Sequence, residues 1–442
     1  MACGLTPYNK VMKPRFSLAL FGFIAVWMAV GPLAMADSSI ISLDDSPPSS
    51  SAMMMQAMMQ QGSGTGWQPA DNPMLMQMGR LGNATTMLHG SVFADYDYQG
   101  GHRGGHKTVS ENWLMGSVMA PVTDHGTLQL RAMMSAEPFS VGKDGYPELL
   151  QTGEALNGKP LIDRQHPHDL FMELSTQYTQ CVSAQTCVNL YLAPVGEPAL
   201  GPTAFPHRYS DWLIPEAPLS HHILDSTHVS FGVATVGVSH GKWLLEGSVF
   251  NGREPDENRY DFDYNPWHTS ASGRLSYAPN PHWALQVSSG YLDRPEALES
   301  TNIERTTASA SYDRTFKAGW WATTLAAGHN FESGPDDNGV LLESTLNFRN
   351  KNYVFGRIEN IQRHGLIEDS PGRGFNVTTF GFGVARDLAS VYGWPIILGA
   401  MITLYAMPSD LAMHYGRSPL SFHVFLHTNT PAMGNTMQMN QK

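Results

Sequence analysis

The stretch His282–Asp293, HWALQVSSGYLD, alternates residue by residue. Trp283, Leu285, Val287 and Tyr291 fall on one face, and Ala284, Gln286, Ser288 and Gly290 on the other. A period of two marks a strand with one apolar face, because successive side chains of an extended chain point to opposite sides. The pattern recurs along the chain. Leu275 and Tyr277 oppose Arg274 and Ser276; Val340, Leu342, Leu346 and Phe348 oppose Glu343, Asn347 and Arg349; Phe422, Val424 and Leu426 oppose His423 and His427. From Asn83 to His427 no stretch shows the apolar spacing of an amphipathic helix.

Alternation alone fits a soluble sandwich as well as a barrel. Two features separate them. Connections alternate in length: VTDHG, SHGK, APNPH, FKAG and RNKN are tight, and long polar segments such as EPFSVGKDGYPELLQTGEALNGKPLIDRQHPHD and NGREPDENRYDFDYNPWHT fall between them. Short turns at one end and long loops at the other are the habit of outer-membrane barrels. Aromatic residues also recur just after the tight turns, at Trp243, Trp283, Trp320 or Trp321, Tyr353 and Trp394. An interfacial girdle needs amphipathic rings at one end of alternate strands, whereas ordinary core aromatics have no such preference. The reading is an all-β chain whose residues 83–428 form a transmembrane antiparallel barrel of about sixteen strands, with twelve or fourteen as the lower counts. CVNLYLAPV and YVFGRIENIQ are its weakest strands.

The first residues read as an export signal: Lys10, Lys13 and Arg15, an apolar run FSLALFGFIAVWMAV, and Ala34-Met35-Ala36 as a cleavage signature. The alternative is an uncleaved anchor, but Gly31-Pro32 breaks a run already short for a spanning helix. Residues 1–36 are therefore expected to be removed on export to the Gram-negative outer membrane. Loss of three cations and no acid moves the net charge from -12 to about -15. So acidic a chain is a poor nucleic-acid binder. Cys181 and Cys187 remain, an even pair suited to one disulfide in an oxidising compartment, with a thiolate metal site as the alternative. Residues 37–82 are rich in Ser, Gln, Gly and Met and are expected to be disordered, as is a short tail over 429–442.

Two polar clusters stand out. LIDRQHPHDLFMEL (161–174) and SHHILDSTH (220–228) precede inward strands, and NGREPDENRY follows an outward one. His166, His168, Asp169, His207, His221, His222, Asp225, His228, Arg253 and Glu254 are thus expected at the extracellular rim. Ion pairs there would plug the mouth; imidazole with carboxylate would instead suit a divalent Zn, Cu or Ni ion. A hydrolase built on Ser220 or Ser226 is the remote reading, since no G-x-S-x-G elbow is present and no catalytic residue is assigned. The methionines form a second signal: Met53, Met54, Met55, Met58, Met59, Met74, Met76 and Met78, with Met433, Met437 and Met439 at the far end. Thioether sulfur selects Cu(I) or Ag(I) over hard ions. The plain alternative is an apolar packing tail.

The blocks DRQHPHDLFMEL, GEPALGP, SHHILDSTH and FNGREPDE resemble those of an uncharacterised group of proteobacterial outer-membrane barrels, over about Leu161 to Glu257. The Met-rich segment ahead of the barrel resembles, in composition, the type B outer-membrane copper-resistance proteins, although Gln and Ala stand where those have Met-Asp-His repeats. The chain also departs from barrel habit at its end, where NTPAMGNTMQMNQK follows the last strand. Together these imply an outer-membrane barrel for copper binding, export or resistance, with no required cofactor. Membrane lipids, the barrel-assembly machinery and a periplasmic metal carrier are its expected partners. A passive or plugged porin for a small polar solute is the alternative.

Overall fold

In the computed structural model, residues 46–431 are described apart from 299 and 333–335. After a helix α1, Ser50–Gln60, the chain lays down β1 Met76–Leu81, β2 Ala84–Gln99, β3 Gly105–Val109, β4 Asn112–Thr123 and β5 Gly126–Met134. Then follow β6 Phe171–Cys181, β7 Thr186–Gly196, β8 Ser230–His240, β9 Trp243–Asn251, β10 Thr269–Tyr277, β11 Trp283–Leu292 and β12 Ile303–Phe316. The last are β13 Gly319–Phe331, β14 Asp337–Phe348, β15 Asn352–Arg363, β16 Phe375–Val391, β17 Trp394–Ala406 and β18 Leu420–Asn429. Each strand from β4 onward pairs antiparallel with its successor, and β18 returns to β2 from Ser91↔Asn429 to Tyr98↔Phe422. With β3 and β4 forming one kinked stave, the result is a closed barrel of sixteen staves. Closure satisfies every edge, which a chain in lipid requires.

Strand faces divide as the alternation predicts. Val287, Tyr291, Val340, Leu342, Leu346, Val424 and Leu426 point outward and are exposed, while Ser288, Glu343, Asn347, His423 and His427 point inward and are buried. The two doubtful stretches are full strands, β7 and β15. The turns at 124–125, 241–242, 317–318 and 392–393 lie at one end, and the loops 135–170, 197–229, 252–268 and 407–419 at the other. Aromatic rings gather at the short-turn end: Trp243 stacks on Tyr277 with centroids 4.1 Å apart, and Tyr312 contacts both Trp283 and Trp321. Trp321 is the girdle member of its pair; Trp320 turns inward and is buried. Cys181 and Cys187 are bonded across the short turn between β6 and β7.

The Met-rich segment corrects one expectation. Over its described part, 46–82, it is ordered: α1, a chain reversal, and β1 hairpinned onto β2. Its composition cannot build a core of its own, but the barrel interior supplies one, and Met53, Met54, Met58 and Met76 are buried there. Strand β1 also completes the wall. β18 covers only Ser91 to Tyr98 of β2, and β1 covers Ala84 to His89 in line with it. Thr430 bridges the join, its N–H donating to Gly90 O and its hydroxyl to Leu75 O. The expected signal segment, its cleavage site, and Met433, Met437 and Met439 lie outside the described residues.

Candidate functional site: two plugs inside the barrel

The lumen is filled from both ends by the chain itself. From the short-turn end comes 46–75. Its entry is tied to the turn after β4, with Ser50 N–H on Asp124 O at 2.9 Å and His125 Nδ1 on Pro48 O at 3.1 Å. Ser49 caps α1, accepting from Ala52 N–H at 3.4 Å. The glycine-rich reversal Gly62–Gly66 then reaches the middle of the barrel. Gly64 O accepts from the wall's Arg131 at 2.5 Å, and Thr65 Oγ1 from Arg274 at 3.0 Å. Gly64 has φ +52°, and a Cβ there would lie 2.8 Å from Glu197 Cβ, so only glycine fits. The chain leaves along Asp71, which pairs with His282 at 2.9 Å. Asn72 Nδ2 holds the two limbs together through Met59 O and Pro69 O at 2.7 and 2.8 Å.

From the long-loop end comes 197–229. Wall serines anchor its backbone: Ala199 N–H donates to Ser248 Oγ at 2.8 Å and Gly201 N–H to Ser288 Oγ at 2.9 Å. The two plugs meet where Ala204 N–H donates to Ser63 Oγ at 2.8 Å. Charged pairs fix the rest. Arg208 bonds Asp225 at 2.6 Å within the plug and Glu343 of the wall at 2.5 Å. Arg357 of the wall reaches Asp211 at 3.1 Å and the carbonyls of Glu216 and Ala217 at 3.0 Å. Glu216 bonds His423 at 3.1 Å, and His423 bonds Asp95 at 2.7 Å. Buried charges survive only when paired and hydrogen-bonded in this way.

The expected histidine cluster forms where this plug meets the long loops. His168 and His228 have ring centroids 5.3 Å apart, His228 and His221 5.1 Å, His221 and His222 5.3 Å, and His166 and His222 6.4 Å. Each Nδ1 of four rings is anchored: His168 on Glu137 at 2.9 Å, His221 on Asp225 at 2.7 Å, His222 on Glu254 at 3.0 Å, and His228 on the Asp225 carbonyl at 2.9 Å. A carbonyl only accepts, so His228 carries its proton on Nδ1. Its buried Nε2 has no hydrogen-bond partner among the described residues. Anchored Nδ1 and open Nε2 is the orientation in which imidazoles ligate metals. Asp169 pairs instead with Arg259 at 3.3 Å.

Burial shifts the acids and bases of this cluster. It drives His228 well below the ordinary imidazole range, with His221 and His168 adding repulsion. It also lowers His166, and His221 despite Asp225. Burial pulls His168 down too, but Glu137 outweighs it and holds His168 above the ordinary value. Burial alone would raise Glu137, yet its bonds to His168 keep it below the usual carboxylate range. Asp169 is pushed up to about 7 by burial, against the pull of Arg259. Asp225 is held low against burial by Arg208, His221 and His228.

Several expected residues lie elsewhere. Arg253 stands beside the cluster, half-buried, with its N–H on Asn251 Oδ1 at 3.2 Å. His207 is not at the rim but deep in the lumen, Nε2 3.2 Å from Met133 Sδ. Met55 is exposed, and Met59, Met74 and Met78 are half-buried, so the N-terminal methionines do not form one group. Ser220 donates to Glu359 at 2.6 Å and Ser226 accepts from Arg305 at 3.0 Å; neither hydroxyl meets an imidazole among the described residues. Sequence reasoning missed Glu296, whose carboxylate lies with a His222 ring nitrogen and the Glu254 carboxylate in one group of ligand atoms within 4.8 Å. It also missed the inward Arg131, Glu173, Glu246 and Arg357, and Met87, Met115, Met133 and His89. Their signal was present: charged or thioether side chains at the inward parity of wall strands.

No family model matches the chain, and no curated protein does. Among solved structures it is similar to OmpF of Salmonella typhi in complex with daunomycin (8% identity, 80% of this chain and 100% of that one, TM-score 0.48). It is also similar to an anion-selective porin from Comamonas acidovorans (10% identity, 78% and 99%, TM-score 0.48) and to outer-membrane expressed OmpT of Vibrio cholerae (7% identity, 80% and 100%, TM-score 0.46). No solute preference follows from likenesses of this size.

Proposed function

We propose that the chain is an outer-membrane barrel that binds and handles a soft or borderline metal ion, copper above all. The observation that carries this reading is the set of anchored imidazoles inside a lumen occluded from both ends. His168, His221, His222 and His228 each present a fixed ring, and His222 lies with Glu254 and Glu296. Imidazole with carboxylate suits Cu(II) or Zn(II), and the methionines of 46–82 suit Cu(I). The apolar belt and the parity of turns and loops support insertion in the outer membrane with the short turns in the periplasm. A periplasmic carrier would then meet the lower plug.

Metal content decides. Purified full-length protein exposed to Cu(II) and washed should retain copper, and the His222→Ala/Glu254→Gln/Glu296→Gln triple variant should lose the rim-bound share. Wild-type protein with no retained metal overturns the reading. A second reading, a porin with a removable plug, has its own support: residues 46–75 carry a single charged side chain, Asp71, so their withdrawal exposes little charge. Metal-free protein showing stepwise conductance in planar bilayers would favour it.

A further inference from the structure

Four inward-facing residues stand in register across four neighbouring strands. Met76 of β1 pairs with His89 of β2, His89 with Met115 of β4, and Met115 with Met133 of β5. All four are buried. Cross-strand partners on one face stand about 5 Å apart at Cβ, so a thioether row with one imidazole in it lines the wall. Two further groups close over it. His207 of the upper plug brings Nε2 to 3.2 Å from Met133 Sδ, and Met58 of α1 lines the same internal cavity as Met76, Met87, Met115, His89 and His207.

Methionine fills gaps in ordinary cores, and packing alone explains one or two of these. It does not explain His89. That ring is enclosed by Trp113 and Trp212, at centroid distances of 4.8 and 5.4 Å, and its Nε2 has no hydrogen-bond partner among the described residues although it lines the cavity. A buried ring nitrogen without a hydrogen bond, on a residue that shares its cavity with Met58, Met76, Met87 and Met115, is a ligand arrangement more than a packing one. The donors are soft or borderline and all uncharged when bound, which selects a monovalent soft ion over a divalent one. The neighbouring charge agrees. Arg131 lines the cavity with its guanidinium committed to Glu173 at 2.8 Å, and the excess cost of a cation beside it is smallest for a single charge.

The geometry points to a Cu(I)- or Ag(I)-binding site formed by Met76, His89, Met115 and Met133 of the wall with Met58 and His207 of the two plugs. It rests on the metal-handling reading above and names a place for the soft ion that the rim carboxylates do not suit. An ion there joins α1, the upper plug and the wall, so its binding also holds both plugs in place.

The test uses full-length protein in detergent under reducing conditions, titrated with Cu(I) against a chromophoric chelator and separately with Ag(I). Protein carrying 13C-methyl methionine reports the ligands directly. Wild type should bind one ion, moving the methyl resonances of Met76, Met115 and Met133 and leaving exposed Met55 in place. Met115→Leu/Met133→Leu keeps bulk and apolarity and should weaken binding at least tenfold. Met53→Leu/Met54→Leu/Met55→Leu/Met59→Leu should bind as wild type does. Heat-modifiable migration on gels confirms that each variant is folded. Cu(I) held equally by the Met115→Leu/Met133→Leu protein overturns this site. If copper is then lost on changing His222, Glu254 and Glu296, metal handling itself still stands. Wild type that binds neither Cu(I) nor Ag(I) overturns the site, and with no retained Cu(II) it overturns both readings.

Discussion

The two plugs meet at Ser63 and Ala204 but are built from opposite chemistry. The upper one, 197–229, is a lattice of full charges: Arg208, Asp211, Glu216 and Asp225, with wall partners Glu343, Arg357 and His423. The lower one, 46–75, carries one charged side chain, Asp71, and is held by amide and backbone hydrogen bonds, by bonds from the wall's Arg131 and Arg274 to its neutral groups, and by buried methionines. A buried charge pair tolerates the loss of neither partner, because the survivor is left desolvated. A neutral hydrogen bond in the same place is worth far less. The upper plug is therefore specified pair by pair, and the lower plug is the more easily withdrawn.

The largest expected contrast is all-or-none. A cysteine placed at Asp256 should react with an impermeant label on intact cells, and one at Asn350, in a short turn, should not. Labelling at Asn350 would invert the barrel and exchange the environments of the two plugs. Next comes Arg208→Ala, which strands Asp225 and Glu343 in the lumen and should cost about 3–5 kcal/mol. It would be read as a lowered thermal midpoint with raised conductance. Asn72→Ala removes the cross-limb bonds of the lower plug and should cost only about 1–2 kcal/mol. If the two substitutions cost the same, the contrast between charged and neutral plugs fails.

The smallest effect is that of pH on the loop 135–170, through Glu137 and His168. His168 is raised, so its contribution is complete below the unfolded imidazole value and is lost as pH climbs through its folded one. Glu137 is lowered, so its contribution is present above the ordinary carboxylate value and is lost as pH falls through its folded one. Hydrogen exchange at His168 N–H, which donates to Glu137 at 2.8 Å, should be slowest between those limits and faster on both sides, after correction for intrinsic rates. Glu137→Gln should flatten this dependence.

The wall was legible before the fold because each stave reports its own environment. Val340, Leu342 and Leu346 face lipid while Glu343 and Asn347 face the lumen, and that contrast repeats every second residue without reference to any other strand. Turn parity and the aromatic positions were local in the same sense. The rim histidines were legible as a group for a similar reason, since most lie in two short stretches.

What the sequence alone determined was thus the barrel, an approximate stave count, its two ends, and the clustering of His168, His221, His222 and His228. Tertiary structure decided what fills the barrel. Nothing local in SSAMMMQAMMQQGSGTG tells whether it hangs free or enters a lumen, because the residues that hold it, Arg131, Arg274 and Ala204, are far along the chain. His207 read as a rim residue for the same reason: its partner, Met133, belongs to a strand on the other side of a long loop. The row Met76–His89–Met115–Met133 exists only through strand register, and register depends on the pairing of strands that no single segment encodes.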